Sequence, residues 1–145
     1  GDISKIKINN KNIFLVDETY NSNPLSLKIA LENYDKIETK DSKKFLILGD
    51  MLELGKHSTK QHRLISKIVN KSKINQVYVV GTYIKETFKG LKSNKKGKIL
   101  NTKFSIIDLI NKNLNNNDYL MMKGSNSTGL NKVISNLKQR SSHVV

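Results

Sequence analysis

Three short segments concentrate the residues able to do chemistry. They are Asp17-Glu18-Thr19-Tyr20-Asn21-Ser22-Asn23-Pro24, Gly49-Asp50-Met51-Leu52-Glu53-Leu54-Gly55 and Lys123-Gly124-Ser125-Asn126-Ser127-Thr128-Gly129. Each joins turn-permitting Gly or Asn to carboxylates, hydroxyls or an ammonium group. One such segment alone reads as a polar turn as readily as a site; three together point to a binding site. The second imitates a phosphate loop and fails as one. The Walker A pattern places four residues between its glycines and Ser or Thr after the Lys. Here five residues separate Gly49 from Gly55-Lys56, and His57 follows. The third leads into a predicted helix whose first amides could hold an anion. Lys123, Ser125 and Ser127 would add donors for a carboxylate or phosphate, and a plain hydroxyl helix cap is compatible with the same residues. No GxGxxG follows the first predicted strand, so a dinucleotide site of the usual kind is not expected.

The remaining reactive residues are sparse. Asp50 and Glu53 could act together, but two loop acids do not by themselves specify acid–base work. Ser125 and Ser127 lack the His/Asp arrangement that activates a nucleophile. His57, His62 and His143 have no partners at metal-ligand spacing, so solvated or supporting roles are expected and no metal site. The chain has no Cys, which excludes disulfides, thiolate metal sites and a thiol nucleophile. Taken alone, the chain does not read as a complete catalyst.

Hydrophobic periodicity supplies the elements that must position these segments. Lys5–Ile8 alternates and Asn12–Val16 is an apolar run, predicting a hairpin around Asn9-Asn10-Lys11. Leu27, Ala30, Leu31 and Tyr34 recur at helical spacing, with Asn23 as N-cap and Pro24 in the first turn. Phe45–Leu48, closed by Gly49, and Val77–Val80, closed by Gly81, read as strands buried on both faces. Between them a helix capped by Ser58 would turn Leu64, Ile65, Ile68 and Val69 to one side. Tyr83–Leu91 reads as a helix, Ile99–Leu100 as a short strand, and Ile106, Ile107, Leu109 and Ile110 as a helical face. Tyr119–Met122 is a further strand running into Lys123-Gly124. A last helix spans about Thr128 to Lys138, with Leu130, Val133, Ile134 and Leu137 inward. Alternation of this kind means βαβ units: an α/β fold with a mainly parallel sheet, helices on both faces and an N-terminal β-hairpin. One domain over residues 1–140, with a frayed tail at 141–145, is expected. Ligands of open parallel sheets bind beyond the carboxyl ends of the strands, and all three polar segments follow predicted strands.

Length and composition agree with that frame. A chain of 145 residues, 37% hydrophobic, can bury a core without disulfides or metals. No apolar run approaches the ~20 residues of a membrane span and no signal peptide opens the sequence, so a cytoplasmic location without membrane contact is expected. The net charge of +14 raises the question of nucleic acid. Of the 26 basic residues only Arg63 and Arg140 are arginines, leaving 24 lysines. Nucleic-acid readers favour Arg for bidentate contacts and interleave aromatics for stacking. The lysines here are scattered, the densest group (Lys92, Lys95, Lys96, Lys98) falling in a predicted loop. With Asn and Ile also abundant, the excess reads mainly as the drift of an A+T-rich genome. An anion-attracting field is the alternative.

The three segments carry a resemblance. Asp17–Pro24 resembles the D-[DE]-[ST]-Y-N-A-N-P segment of the Mur ligases that add D-alanyl-D-alanine, the MurF type. Leu48–Gly55, with Ser58 and His62, is similar to their L-G-D-M-x-E-L-G-x-x-S-x-x-x-H segment, and Met122–Ser127 to their K-G-S-R-x segment. Order and spacing agree across nearly the whole chain, which resembles only the Rossmann-like C-terminal domain of these three-domain enzymes. The phosphate loop belongs to their central ATPase domain, which fits its absence here. Gly1-Asp2 would follow a Gly-Arg junction whose Arg contacts ATP in related ligases.

The resemblance implies ATP-dependent joining of D-alanyl-D-alanine to a UDP-N-acetylmuramoyl tripeptide in peptidoglycan precursor synthesis. An acyl phosphate forms first and the dipeptide amine attacks it. ATP and Mg2+ would be held mainly by the absent domains, and the isolated domain would be inactive. Glu18 would match the acid near the ATP ribose, with Tyr20, Asn21 and Asn23 lining the nucleotide side. Lys123, Ser125, Ser127 and Asn126 would face the dipeptide, the lysine as a charge-assisted partner of its carboxylate. Asp50 and Glu53 would hold its ammonium group or brace the loop, supported by His62. Asn126 stands where many members have Arg, so a carboxylate clamp would rest more on Lys123; Glu18 in place of Asp is a milder change. Two other readings stand beside this one: a free-standing Rossmann-like module binding an anion through the Lys123 loop, and a basic nucleic-acid-binding domain. Affinity for polyanions separates them.

Overall fold

Ile8 and Lys11 face each other across Asn9 and Asn10, whose φ angles are both positive (48° and 68°). Asparagine tolerates that region, and two positive-φ residues form the turn whose twist suits a hairpin. In this computed structural model, which describes residues 2–20, 22–51 and 58–142, the turn joins β1 (Asp2–Ile8) to β2 (Lys11–Asp17) in antiparallel pairing. The other strands are β3 (Lys44–Gly49), β4 (Gln76–Val80), β5 (Lys96–Leu100) and β6 (Tyr119–Lys123). They run parallel to β2 in a sheet of order β1-β2-β6-β3-β4-β5. The predicted α/β architecture is the observed one.

Among the described residues five helices cover the two faces: α1 (Pro24–Asp35), α2 (Ser58–Lys71), α3 (Ile84–Lys89), α4 (Ile106–Asn113) and α5 (Leu130–Ser142). α1 starts where the sequence places it. Asn23 accepts from Ser26 N at 2.9 Å and donates its own amide to Ser26 Oγ at 3.2 Å, with Pro24 opening the helix. Leu27, Leu31, Ile65, Val69 and Ile84 pack with Leu46, Leu48, Val77, Val79 and Met121 on one face. Leu109, Ile110, Leu130, Ile134 and Leu137 pack with Phe45, Ile47, Tyr78, Leu120 and Met122 on the other. Successive strand residues thus feed opposite cores, which is why these strands read as continuous apolar runs. β6 and β3 are neighbours, yet α5 and α2, which follow them, lie on opposite faces. That divergence makes their carboxyl ends the topological switch point.

Some details differ from the sequence reading. Leu64 is 42% exposed, because the inward stripe of α2 is narrower than its apolar residues suggest. The last helix begins at Leu130 instead of Thr128: Asn126–Thr128 forms a 3₁₀ turn, closed by Gly129 at φ 77°. α5 continues through Ser141, whose hydroxyl accepts from Lys7 N at 3.0 Å, so Ser141 and Ser142 are helical. The Lys92–Lys98 group is not one loop. Ser93–Lys95 is a 3₁₀ turn, and Lys96 and Lys98 belong to β5.

Lysines also close the amino ends of the strands. Lys11 Nζ donates to Asn111 O and Leu114 O, both at 2.8 Å, at the C-terminus of α4. Lys44 Nζ donates to Ile37 O at 2.6 Å, just past α1, and Lys95 Nζ to Ser72 O at 2.7 Å and Ile74 O at 2.8 Å, just past α2. Cations belong at helix C-termini, where carbonyls lack intrahelical partners. Lys44 and Lys95 are buried, and desolvation lowers both ammonium groups from the ordinary lysine value.

Candidate functional site at the carboxyl ends of the strands

Two glycines let the strand ends meet. A Cβ on Gly124 would stand 2.8 Å from Gly49 Cα, and one on Gly49 would stand 2.7 Å from Thr128 Cγ2. The β3 and β6 ends therefore pack backbone against backbone, with the Thr128 side chain of the turn before α5 seated on Gly49. Ser125 N donates to Asp50 O at 2.8 Å, and Thr128 closes the turn by donating its amide and hydroxyl to Ser125 O at 3.0 and 2.6 Å.

Asp50 ties a third strand end to these two. Its carboxylate accepts from Thr82 N at 2.9 Å and Ile84 N at 2.8 Å, beyond β4. Both oxygens are engaged and the residue is buried, so Asp50 braces the loops and offers no open carboxylate to a substrate ammonium group. His62 is wholly buried on α2, and its Nε2 accepts from Met51 N at 3.0 Å. Accepting there places the proton of a neutral imidazole on Nδ1. Thr87 Oγ1 in turn donates to His62 O, tying α3 to α2. His62 thus holds the main chain at Met51, just past β3, from the helix side. Glu53, Gly55 and His57 lie outside the described residues, as do Asn21 and His143.

Glu18 and Lys123 come together across β2 and β6. Val16 and Met121 face the α1–α2–α3 side, and side chains alternate along a strand. Glu18 and Lys123, each two residues further on, emerge on that same side. Glu18 N donates to Met122 O at 3.0 Å, continuing the ladder past its last strand pair. Lys123 is fully buried, and its Nζ donates to Glu18 O at 3.3 Å. Upstream, Asp17 Oδ1 accepts from Thr19 N at 3.0 Å and Thr19 Oγ1 at 2.7 Å, which fixes the turn.

Glu18, Tyr20 and Lys123 share an open cavity of about 290 Å³ with Ser26, Ile29 and Asn33 of α1. Tyr20 is 71% exposed at its rim, and the Glu18 carboxylate raises its phenol above the ordinary value, because a nearby negative charge disfavours the phenolate. The cavity therefore pairs a carboxylate and an aromatic ring with a buried ammonium group.

The sequence grouping changes in two respects. Lys123, expected beside Ser125, Ser127 and Asn126, shares its cavity with Glu18 and Tyr20 instead, because its side chain leaves the strand on the α1 face. The hydroxyls of Ser125 and Ser127 lie 2.8 Å apart in an exposed pair on the turn beyond. Asn23, expected on the nucleotide side, has its side-chain oxygen on Ser26 N as the helix cap and is not among the residues lining the cavity. Sequence reasoning missed Ser26, Ile29 and Asn33. Their spacing along α1 is the helical signal that could have revealed them.

Among the described residues no three metal-ligating side chains gather, and no helix is long and apolar enough to cross a membrane. Fold and site thus define an open α/β domain whose strand-end loops build a polar cleft at the switch point. The chain belongs to the Mur ligases: the family model described as "Mur ligase, glutamate ligase domain" matches residues 6–126. It is 34% identical over 133 residues to the UDP-N-acetylmuramoyl-tripeptide--D-alanyl-D-alanine ligase of Buchnera aphidicola subsp. Acyrthosiphon pisum, covering 90% of this chain and 28% of the relative. The enzyme of that name from Bacillus subtilis is 27% identical over 128 residues, 85% of this chain and 27% of its own. The chain therefore spans less than a third of the curated relatives it matches. In fold it is similar to the MurF ligase of Thermotoga maritima, solved in complex with ADP, with TM-score 0.73 at 21% identity over 99% of this chain and 31% of that one. A MurF structure from Acinetobacter baumannii gives TM-score 0.74 at 21% identity over 95% and 30%.

Proposed function

We propose that the chain serves as the C-terminal domain of an ATP-dependent ligase joining D-alanyl-D-alanine to a UDP-N-acetylmuramoyl tripeptide, in cytoplasmic synthesis of peptidoglycan precursors. The observation that carries this reading is the convergence of the three strand-end loops at the switch point, with Glu18, Tyr20 and Lys123 around one cavity. The names of the relatives support the reaction, and the ADP complex of the Thermotoga maritima enzyme supports the nucleotide. ATP and its magnesium would be held mainly by a preceding domain. Glu18 would complete the nucleotide site by accepting from the ribose hydroxyls, with Tyr20 beside it. Ser125, Asn126 and Ser127, on the turn beyond, would meet the dipeptide. Tyr20 and Ile29 are large, exposed side chains lining this cavity, and Leu25 is exposed at the start of α1; all three are suited to being covered when domains close.

The other two readings fit less well. A free anion module would need the Lys123 ammonium directed at solvent, and it is buried on a carbonyl. A nucleic-acid binder would need its lysines outward, and Lys11, Lys44 and Lys95 turn inward on backbone carbonyls. The reaction is tested by following phosphate release from ATP by the full-length ligase carrying this domain. Release that requires both D-alanyl-D-alanine and the UDP-N-acetylmuramoyl tripeptide is expected. Release indifferent to the dipeptide would contradict the proposal. The isolated 145-residue chain is expected to show no turnover.

A further inference from the structure

We infer that Lys123 is a positioning residue for the Glu18–Tyr20 turn, acting on the nucleotide side of the cleft without itself holding the dipeptide carboxylate. The inference rests on the proposed ligase reading and assigns this residue within it. Three observations carry it. The ammonium group is completely buried, so a dipeptide carboxylate has no exposed cation to reach there. Nζ donates to the backbone carbonyl of Glu18 at 3.3 Å, a contact that fixes main chain instead of recognising a ligand. And the strand alternation that sends Lys123 to the α1 face sends Glu18 there too, while the paired hydroxyls of Ser125 and Ser127 lie on the turn beyond β6.

The chemistry follows from those contacts. β2 ends at Asp17, so beyond the Glu18 N–Met122 O bond the sheet ladder no longer holds the chain. A buried cation on the Glu18 carbonyl takes over there. Together with the Asp17–Thr19 turn, it sets the direction in which the Glu18 carboxylate and the Tyr20 ring point. A hydrogen bond from a charged donor is stronger than a neutral one, so one ammonium group can hold a turn that would otherwise swing. Lys123 meanwhile lines the cavity opposite Ser26, Ile29 and Asn33 of α1.

The test is steady-state kinetics of the full-length ligase with Lys123→Met, which keeps the stem and removes the charge. The KM for ATP is expected to rise about tenfold, the effect of one lost charge-assisted hydrogen bond, with the KM for D-alanyl-D-alanine within about twofold. Partial misfolding would lower kcat by reducing active enzyme without splitting the two KM values, so the split is the readout. Glu18→Gln supplies the second arm. If Lys123 acts through the Glu18 turn, the double variant raises the KM for ATP little beyond Glu18→Gln alone, a non-additive cycle. A dipeptide KM that rises as much as that for ATP would overturn the inference, as would additive effects in the double variant or two unchanged KM values. Wild-type enzyme that fails to join the dipeptide at all would instead overturn the underlying ligase reading, before any variant is made.

Discussion

At the amino ends of the strands, Lys11, Lys44 and Lys95 turn their ammonium groups onto carbonyls at the ends of α4, α1 and α2, whereas at the carboxyl ends Glu18, Tyr20 and Lys123 surround an open cavity. The same residue type does different work at the two poles. At the first, each cation answers a helix C-terminus, a task any α/β sheet presents wherever a helix hands over to a strand. At the second, the helices present their N-termini and the chain has glycines where backbones must touch. Several polar groups there bond to one another and also border open space. The net charge of +14 therefore does not mark a single surface. Part of it is built into the scaffold, and one further lysine sits beneath the candidate site.

The contrast can be broken most severely at Gly124. An added Cβ would meet Gly49 Cα at 2.8 Å, backbone that cannot rotate away. Gly124→Ala is expected to cost about 3 kcal/mol, the upper range for overpacking, and to abolish ligation by separating the loops. Chemical denaturation read beside activity checks both. A variant of unchanged stability would show that the strand ends are less tightly joined than described. Next in size is Lys44→Met, at the opposite pole. Removing the ammonium from Ile37 O is expected to cost about 2 kcal/mol while leaving the KM of every substrate unchanged. If Lys44→Met altered a KM, the division between the two poles would fail.

Ser22→Ala sharpens the contrast in the other direction. Ser22 Oγ is buried without a hydrogen-bond partner among the described residues, and the family pattern carries Ala at this place in its Y-N-A-N-P segment. The substitution is expected to stabilise the domain by about 1 kcal/mol, or roughly 3 °C in Tm at this size. A lower Tm would mean that the hydroxyl has a structural partner after all. The smallest effect is spectroscopic. In Glu18→Gln the Tyr20 phenol should ionise at lower pH, moving back toward its ordinary value of 10.0, because the carboxylate that disfavours the phenolate is gone. Ultraviolet titration of the tyrosines against wild type reads the change. No movement would separate Glu18 from Tyr20.

Features set by neighbours in the chain were legible without a structure. The Asn9-Asn10 turn, the Asn23 cap with Pro24, and the apolar strands Phe45–Leu48 and Val77–Val80 all depend on a few adjacent residues. The amino-end clamps were not, since Lys11 and Leu114 are 103 residues apart and nothing local tells a clamping lysine from a solvated one. The pairing of Lys123 with Glu18 spans 105 residues and was missed for a different reason. Grouping by loop put Lys123 with Ser125 and Ser127, whereas alternation along β6 decides which face a side chain takes. Counting in twos from Met121 and Val16 would have set both residues on the α1 side. Asp50 shows the limit of reading acids as ligands: its two amide partners lie beyond the next strand, and only the fold brings them within reach.

The most direct test of the carboxyl-end site is the KM for ATP of the full-length ligase carrying Glu18→Gln. Loss of a charged acceptor for the ribose hydroxyls predicts a rise of about tenfold, with the KM for D-alanyl-D-alanine unchanged. An unchanged KM for ATP would contradict the assignment of this cavity to the nucleotide.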